Sequence, residues 1–473
     1  MPPHSTITSE IDDGPSGAHV GAFFDVDRTL IAGFSAFEFV RDSLRVGLIS
    51  PRDFAEAMLT ALRFQTGGVS FSGLVTGTAG LLRGRSEAEF AEMGERLFRD
   101  RLASAIYPES RALVDAHRRK GHTVAVVSAA TRYQIEPLAR DLEIPHVLCT
   151  QLEVRDGRFT GGLIRPTCYG PGKARAVRSL ARRLRVKLAR SYFYTDSDED
   201  LPLLEIVGQP RPTNPSRRLR AIAAQRQWPI RQFRSRGTPA PSDIVRTSLA
   251  AASLLPSFLL AAPAAVLGGG WRHAVNIATA TWGELGTALA GIDVRVSGEH
   301  HLWSHRPAVF IFNHQSGIEM LLLCKLLRRD MIGIAKQEMR RNPLWGPAFT
   351  LAGTVFIDRF NHEKAVAALQ PAVEALRSGL SIAIAPEGTR SPTPRLGRFK
   401  KGAFHLAMTA RVPIVPIVFR NSLDALPKHA LVIRPATIEV VVHPPVSTAR
   451  WRRHRLDEHI AGVERLYHET LGL

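Results

Sequence analysis

Val20-Gly-Ala-Phe-Phe-Asp25-Val-Asp27-Arg-Thr29-Leu30 is the stretch on which the fold of the first half turns. An apolar run ends in a carboxylate and is followed by Thr29 and Leu30, which predicts a buried strand whose carboxyl end opens into a polar loop. Later segments repeat the design. Residues 123–127 run into Ser128, residues 191–194 run into Asp196, and the loop Tyr169-Gly-Pro-Gly leads to Lys173 at a helix start. Polar residues gathered at strand ends are where open α/β sheets bind ligands. Each of these residues alone is equally at home capping a loop or solvating a surface. Between Leu30 and Pro108, the spacing of Phe37, Val40 and Leu44, and of Phe54, Met58 and Leu62, predicts a helical insertion over the sheet.

Taken in order, Asp25-x-Asp27-x-Thr29, Ser128, Lys173 and Asp196-Ser-Asp-Glu-Asp200 resemble the four motifs of the haloacid dehalogenase superfamily. The resemblance is to its phosphoserine-phosphatase-like branch (subfamily IB), over residues 20–233. It implies a Rossmann-like parallel sheet with a helical cap at about residues 31–108. It also implies that Asp25 attacks phosphorus while Asp27 protonates the leaving oxygen and then activates water. Thr29 and Ser128 would hold the phosphoryl oxygens, and Lys173 would neutralise charge in the transition state. Mg2+ would be held by Asp25, Asp196 and the backbone carbonyl of Asp27, with Asp200 in support. Two departures bear on substrate. Ser128 is followed by Ala129 and Ala130 instead of glycines, and Phe34 stands where that branch places an acid for the amino group of phosphoserine. An apolar residue there favours a lipid or other organic phosphate.

In the second half, an apolar run ends at Phe312, and His314 stands five positions before Glu319, a spacing that puts both on one side of a turn-to-helix junction. A carboxylate on one imidazole nitrogen fixes the tautomer and lets the other act as a base. Further on come Gly353-Thr-Val-Phe-Ile357-Asp-Arg359, Pro386-Glu387-Gly388-Thr389-Arg390, Phe399-Lys400-Lys401-Gly402 and Val412-Pro413-Ile-Val-Pro416. These resemble the ordered blocks of the PlsC-like 1-acyl-sn-glycerol-3-phosphate acyltransferases, over residues 293–446. The resemblance implies that His314, held by Glu319, removes the hydroxyl proton of lysophosphatidate as it attacks an acyl thioester of coenzyme A or acyl carrier protein. Arg359, Glu387, Gly388, Thr389 and Arg390 would form the acceptor pocket, with Lys400 a further phosphate or coenzyme A contact. Glu319 departs from the family's usual aspartate.

A chain of 473 residues is long enough for two hydrophobic cores. Its organisation reads as a disordered lead-in (1–19), a phosphatase domain (20–233), a linker (234–243), a helical hairpin (244–291) and a second α/β domain (292–473). Residues 247–271 carry no charge, but Pro256 and Pro263 interrupt the helical ladder, which favours a hairpin dipping into one leaflet over a full span. The net charge of +19 fits an anionic membrane surface. Without aromatic-lined basic segments, a nucleic-acid partner is not expected. Cys149, Cys168 and Cys324 are far apart and form no C-x-x-C pair, which fits a reducing setting at the cytoplasmic face of a membrane. The leading reading is an acyltransferase that makes phosphatidate fused to a Mg2+-dependent phosphatase, with consecutive steps on one lipid. The alternatives are a phosphatase of a soluble phosphomonoester with an impaired acyltransferase domain, and a non-enzymatic basic membrane scaffold. The oligomeric state is not legible.

Overall fold

The computed structural model describes residues 4–472 apart from 46, 48–49, 53–54, 56–58, 60–76, 344 and 358–369. Phe54, Met58 and Leu62 of the cap and Arg359 of the acceptor pocket lie outside the described residues. The chain divides into two compact units, Met1–Thr238 and Pro239–Leu473.

The first unit is built on six strands: β1 (Gly21–Phe24), β2 (Thr123–Thr131), β3 (His146–Arg155), β4 (Arg158–Ile164), β5 (Tyr192–Thr195) and β6 (Gln209–Pro212). Their order is β4-β3-β2-β1-β5-β6, with every pair parallel except β3 and β4. Its longer helices among the described residues are α1 (His4–Asp12), α2 (Ser35–Arg45), α3 (Glu87–Leu97), α4 (Pro108–Arg119), α5 (Arg132–Asp141), α6 (Pro171–Leu184) and α7 (Arg217–Gln225). Side chains alternate across a strand, so successive residues of β1 feed two cores. Ala22 and Phe24 join Val114 of α4 and Ile135 of α5, while Phe23 joins Val177 and Leu180 of α6.

Local composition misled in three places. The expected disordered lead-in forms α1 instead. Ile11 is fully buried there, and Glu10 accepts from Arg211 Nε at 3.0 Å and pairs with Arg231, partners some 200 positions away in sequence. The expected linker at 234–243 is shorter, because the buried Ser235 hydroxyl donates to Glu109 and a helix begins at Pro241. In α2 the buried face is Ser35, Phe39 and Ser43, and Phe37 is exposed. Phe39 is drawn inward by Phe90 of α3, whose ring centroid lies 5.0 Å away and which also stacks edge-on against Tyr133 and Phe159.

The second unit has seven strands: β7 (Ile292–Ser297), β8 (Val309–Phe312), β9 (Met331–Lys336), β10 (Val355–Ile357), β11 (Ser381–Ile384), β12 (Ile414–Phe419) and β13 (Ala436–Val442). The order is β10-β9-β11-β8-β12-β13-β7, antiparallel only between β12 and β13. Its longer helices among the described residues are α8 (Pro241–Ala252), α9 (Leu254–Ala264), α10 (Gly270–Ala290), α11 (Glu319–Leu327), α12 (Gln370–Arg377), α13 (Gly402–Ala410) and α14 (Leu456–Leu471).

Prolines shape the apolar segment as their chemistry requires. Pro256 cannot donate to the carbonyl of Ala252, and α8 ends at that residue. Pro263 precedes the wider turn Ala265–Gly269, where the chain leaves α9 and enters α10 through Gly270 at φ +70°. The run Pro241–Leu267 is the one helical stretch among the described residues that is long and apolar enough to cross a membrane.

The hairpin expected over 244–291 is thus asymmetric. Its second arm, α10, packs into the α/β unit: a Cβ on Gly283 would lie 2.3 Å from the Lys325 backbone nitrogen of α11. Glu284 pairs with Arg328 at 2.8 Å and with Lys325. Because α11 begins with Glu319, this contact also sets the position of a candidate site residue. Gly283→Val is expected to cost about 1–3 kcal/mol of stability through the forced helix separation. Urea unfolding of the full chain checks this, and an unchanged midpoint would count against so close a contact.

Candidate functional site

In the first unit, β1 and β5 are parallel neighbours, so Asp25 and Asp196, each one residue past its strand, emerge side by side. Ser128 lies within β2 on the other side of β1, at an irregularity in the β2–β3 register between Ser128 and Thr131. Lys173 enters from the first turn of α6. Its Nζ is 2.7 Å from Asp25 Oδ1 and 2.8 Å from Asp200 Oδ2, and Thr195 Oγ1 donates to the same Asp200 oxygen at 2.6 Å. The fold therefore brings Asp25, Lys173, Asp196 and Asp200 together from three distant segments.

Burial pushes the Asp25 carboxyl up to about 8 against the pull of Lys173, and nearby Asp200 and Asp196 push the same way. Burial likewise raises Asp196 to about 7, opposed by Arg28, whose Nη1 is 3.3 Å from it. For Lys173, burial works against the ammonium, yet Asp200 and Asp25 outweigh it and hold the pKa above its ordinary value. Asp27 is raised by burial, while its Oδ1 accepts the Ser35 N–H at 2.7 Å. Among the described residues Thr29 Oγ1 is buried without a hydrogen-bond partner, and Ser128 Oγ accepts from Ala130 N at 3.2 Å, which leaves its own hydrogen to donate. Two hydroxyls and an ammonium near a buried carboxylate suit a phosphoryl group.

Of the four aspartates expected around a cation, two turn their carboxylates to other partners. Asp200 is turned to Lys173 and Thr195, and the Asp27 carboxylate is turned to Ser35. Among the described residues no group of three or more His, Cys, Asp or Glu side chains forms a ready-made metal cluster. Asp25, Asp196 and the Asp27 carbonyl remain as oxygen donors. Two carboxylates both raised by burial, with Asp196 raising Asp25 further, fit a hard dication that keeps several waters.

In the second unit, three loops meet at the carboxyl ends of the parallel neighbours β11, β8 and β12. Asn313 ties two of them: its Nδ2 donates to Phe419 O and its Oδ1 accepts from Phe419 N, both at 2.8 Å. His314 follows, with Nδ1 2.7 Å from Glu319 Oε2. Glu319 is completely buried. It also accepts from Gln315 N and Ser316 N, each at 2.9 Å, and from Ser422 Oγ at 2.6 Å. An ionised carboxylate only accepts, so Nδ1 carries the proton and Nε2 is left as the base.

Glu387 takes a different part from the one expected. It is buried, and its two oxygens accept from His314 N and Gly397 N, each at 2.7 Å. Its carboxylate is thus committed to the backbone behind His314. Gly388, at φ +76°, turns the chain beneath Lys400: a Cβ there would sit 2.9 Å from Nζ. Arg390 Nη1 comes within 3.6 Å of the equivalent point on Gly317, so a guanidinium reaches the His314–Glu319 loop. Thr389 is exposed on the same turn.

Burial pushes Glu387 up to about 7, against its bonds to His314 N and Gly397 N. A carboxyl raised on folding contributes stability below the unfolded value near 4.5 that is lost as pH rises through about 7. Glu387→Gln cannot accept both N–H groups and is expected to lose about 1–3 kcal/mol. That deficit should shrink between about pH 5 and pH 8, where only the wild type ionises. Urea midpoints at the two pH values check it, and a pH-independent difference would contradict the shift.

Asn313, Ser422, Arg28 and Thr195 were missed in the sequence. Their only signal is position at or shortly beyond the end of an apolar strand, shared with many structural residues. Asn214 was also missed: its Nδ2 donates to Arg28 O at 2.9 Å and holds that residue at φ +57°.

A family model for haloacid dehalogenase-like hydrolases matches residues 22–205, and one for acyltransferases matches residues 293–420. Phosphoserine phosphatase SerB1 of Mycobacterium tuberculosis is 36% identical over 224 residues, 46% of this chain and 73% of that protein. The inhibition of morphological differentiation protein of Streptomyces azureus is 35% identical over 45% of this chain and 78% of its own. The 1-acyl-sn-glycerol-3-phosphate acyltransferase of Cocos nucifera is 34% identical over 184 residues, 39% of this chain and 59% of that protein. The chain belongs to the haloacid dehalogenase-like hydrolases through its first unit and joins to it, on the same polypeptide, an acyltransferase domain.

Proposed function

We propose that the second unit acylates lysophosphatidate to phosphatidate and that the first hydrolyses a phosphomonoester with an apolar leaving group. The observation that carries the acyl-transfer reading is the His314–Glu319 pair at 2.7 Å, with Arg390 and Lys400 brought to the neighbouring turns. His314 Nε2 takes the proton of the acceptor hydroxyl as its oxygen attacks the thioester carbonyl. The carbon–sulfur bond then breaks and the thiolate leaves with that proton. Arg390 and Lys400 hold the acceptor phosphate, and the donor is an acyl thioester of coenzyme A or acyl carrier protein. The fully bonded Glu319 argues against an impaired acyltransferase.

In the phosphatase unit, an Asp25 oxygen attacks phosphorus, and the phosphorus–oxygen bond to the leaving group breaks as Asp27 supplies a proton. Water then attacks the aspartyl phosphate, Asp27 takes the proton back, and Asp25 is released. Thr29, Ser128 and Lys173 hold the phosphoryl oxygens throughout. Mg2+, held by Asp25, Asp196 and the Asp27 carbonyl, would supply neutralising positive charge at those oxygens. Phe34 is 59% exposed and adjoins Ser35, the residue bonded to Asp27, which supports an apolar organic or lipid phosphate as substrate.

The side chains of Leu255, Leu259, Leu260, Val266 and Leu267 are exposed along α9 and the turn after it, a surface suited to one bilayer leaflet at the cytoplasmic face. Phosphatidate made by one unit would then be available to the other, giving diacylglycerol through raised effective concentration. Supplying purified protein with lysophosphatidate, acyl-coenzyme A and Mg2+ tests this. Diacylglycerol is the expected end product, and phosphatidate accumulating without it would reject the lipid substrate of the phosphatase.

A further inference from the structure

We propose that the arginine ridge on α6 and the segment after it docks the phosphatase unit on a bilayer surface of anionic lipid. Residues 175–190 hold seven cations and no acid, so 16 residues supply 7 of the chain's net 19 positive charges. Arg175, Arg178, Arg182, Arg183 and Arg185 are all exposed, and Lys187 and Arg190 continue the run, also exposed. The steps of three and four between Arg175, Arg178 and Arg182 keep these on one stripe of α6 and Arg185 follows just past its end, while Val177, Leu180 and Ala181 are buried against the sheet.

Some exposed arginines elsewhere in this unit have acidic partners: Arg140 with Glu95 at 2.7 Å, Arg226 with Glu205 at 2.8 Å, and Arg118 with Glu143. Among the described residues no ion pair is formed along the ridge. Like charges held this close repel one another, and an anionic partner relieves the repulsion. Arg175, Arg178, Ser179, Arg182 and Arg183 line an open hollow of about 610 Å³, whose guanidinium and hydroxyl donors suit phosphate oxygens.

Two observations favour a lipid surface over nucleic acid. Residues 175–190 contain no aromatic side chain, so the ridge offers no platform for stacking bases. The second unit also exposes the apolar α9, and stable membrane attachment takes an apolar element together with a polybasic one. The choice of partner rests in this respect on the membrane reading of α9, and the experiment separates the two.

The test is flotation of the full chain with phosphatidylcholine vesicles, with and without phosphatidylglycerol, at low and high salt. The wild type is expected to partition at least about 10-fold more strongly when phosphatidylglycerol is present, a gain that high salt removes. Substituting Arg175→Ala, Arg178→Ala, Arg182→Ala and Arg183→Ala together should abolish that gain while retaining hydrolysis of p-nitrophenyl phosphate and attachment to neutral vesicles. The matching four Arg→Lys changes should keep it. Leu259→Glu with Leu260→Glu should remove neutral-vesicle binding only, so failure of the α9 reading leaves the ridge testable. A wild type without an anionic gain, an alanine variant that keeps it, or a ridge needed for RNA binding but not for vesicles would each overturn the proposal.

Discussion

His314→Ala is expected to lower kcat/KM for acyl transfer by roughly 10²- to 10⁴-fold and to leave phosphatase turnover unchanged. The imidazole is the group placed to take the acceptor's proton, and its Nδ1 is committed to Glu319 at 2.7 Å. The glutamate extends the argument. Glu319 carries one methylene more than the usual aspartate, yet its carboxylate reaches the histidine and is fixed by two backbone N–H groups and Ser422. Shortening it withdraws the carboxylate from one set of partners or the other. Glu319→Asp is therefore expected to lower the rate, by about 100-fold if the displacement approaches 1 Å. A Glu319→Asp enzyme faster than the wild type would show that the loop is built for the shorter residue.

Asp25→Asn should remove phosphatase activity by on the order of 10⁴-fold, the scale expected when a covalent nucleophile is lost. Asparagine keeps the size of the side chain but not the charge that attacks phosphorus and pairs with Lys173 at 2.7 Å. Lys173 keeps Asp200 as a partner at 2.8 Å, so its ammonium is not left buried alone and the unit should stay folded. Acyl transfer by the same variant is the internal control. Phosphate release from a panel of phosphomonoesters reads the effect, and retained turnover would move the nucleophile elsewhere.

The parts of the fold legible in the sequence are those whose signal is local. Strands buried on both faces, such as β1, β8 and β12, stand out as continuous apolar runs ending in polar residues. Edge and alternating strands do not: β7, Ile-Asp-Val-Arg-Val-Ser, carries three polar residues, and its place beside β13 is set by pairing far along the chain. α1 was missed for a related reason, since Ile11 and Glu10 find their partners only after the sheet has formed.

The sites follow the same division. His314 and Glu319 are five residues apart and were readable as a pair, whereas Ser422 reaches Glu319 across 103 positions. Asp25 and Asp27 look alike in sequence. Three-dimensional packing separates them, turning one carboxylate toward Lys173 and the other toward the backbone of Ser35. Glu387 shows the limit of reading a role from a motif, because its place in the acceptor block concealed that it clamps the backbone of His314.

If two independent active sites share this chain, each falls silent only on its own substitution. Product formation from lysophosphatidate, acyl-coenzyme A and Mg2+ by wild type, Asp25→Asn and His314→Ala tests it most directly. Asp25→Asn is expected to make phosphatidate still at the wild-type rate, and His314→Ala to make it at least about 100-fold more slowly while still hydrolysing a phosphomonoester. Phosphatidate formation that survives His314→Ala, or fails with Asp25→Asn in a folded protein, would contradict it.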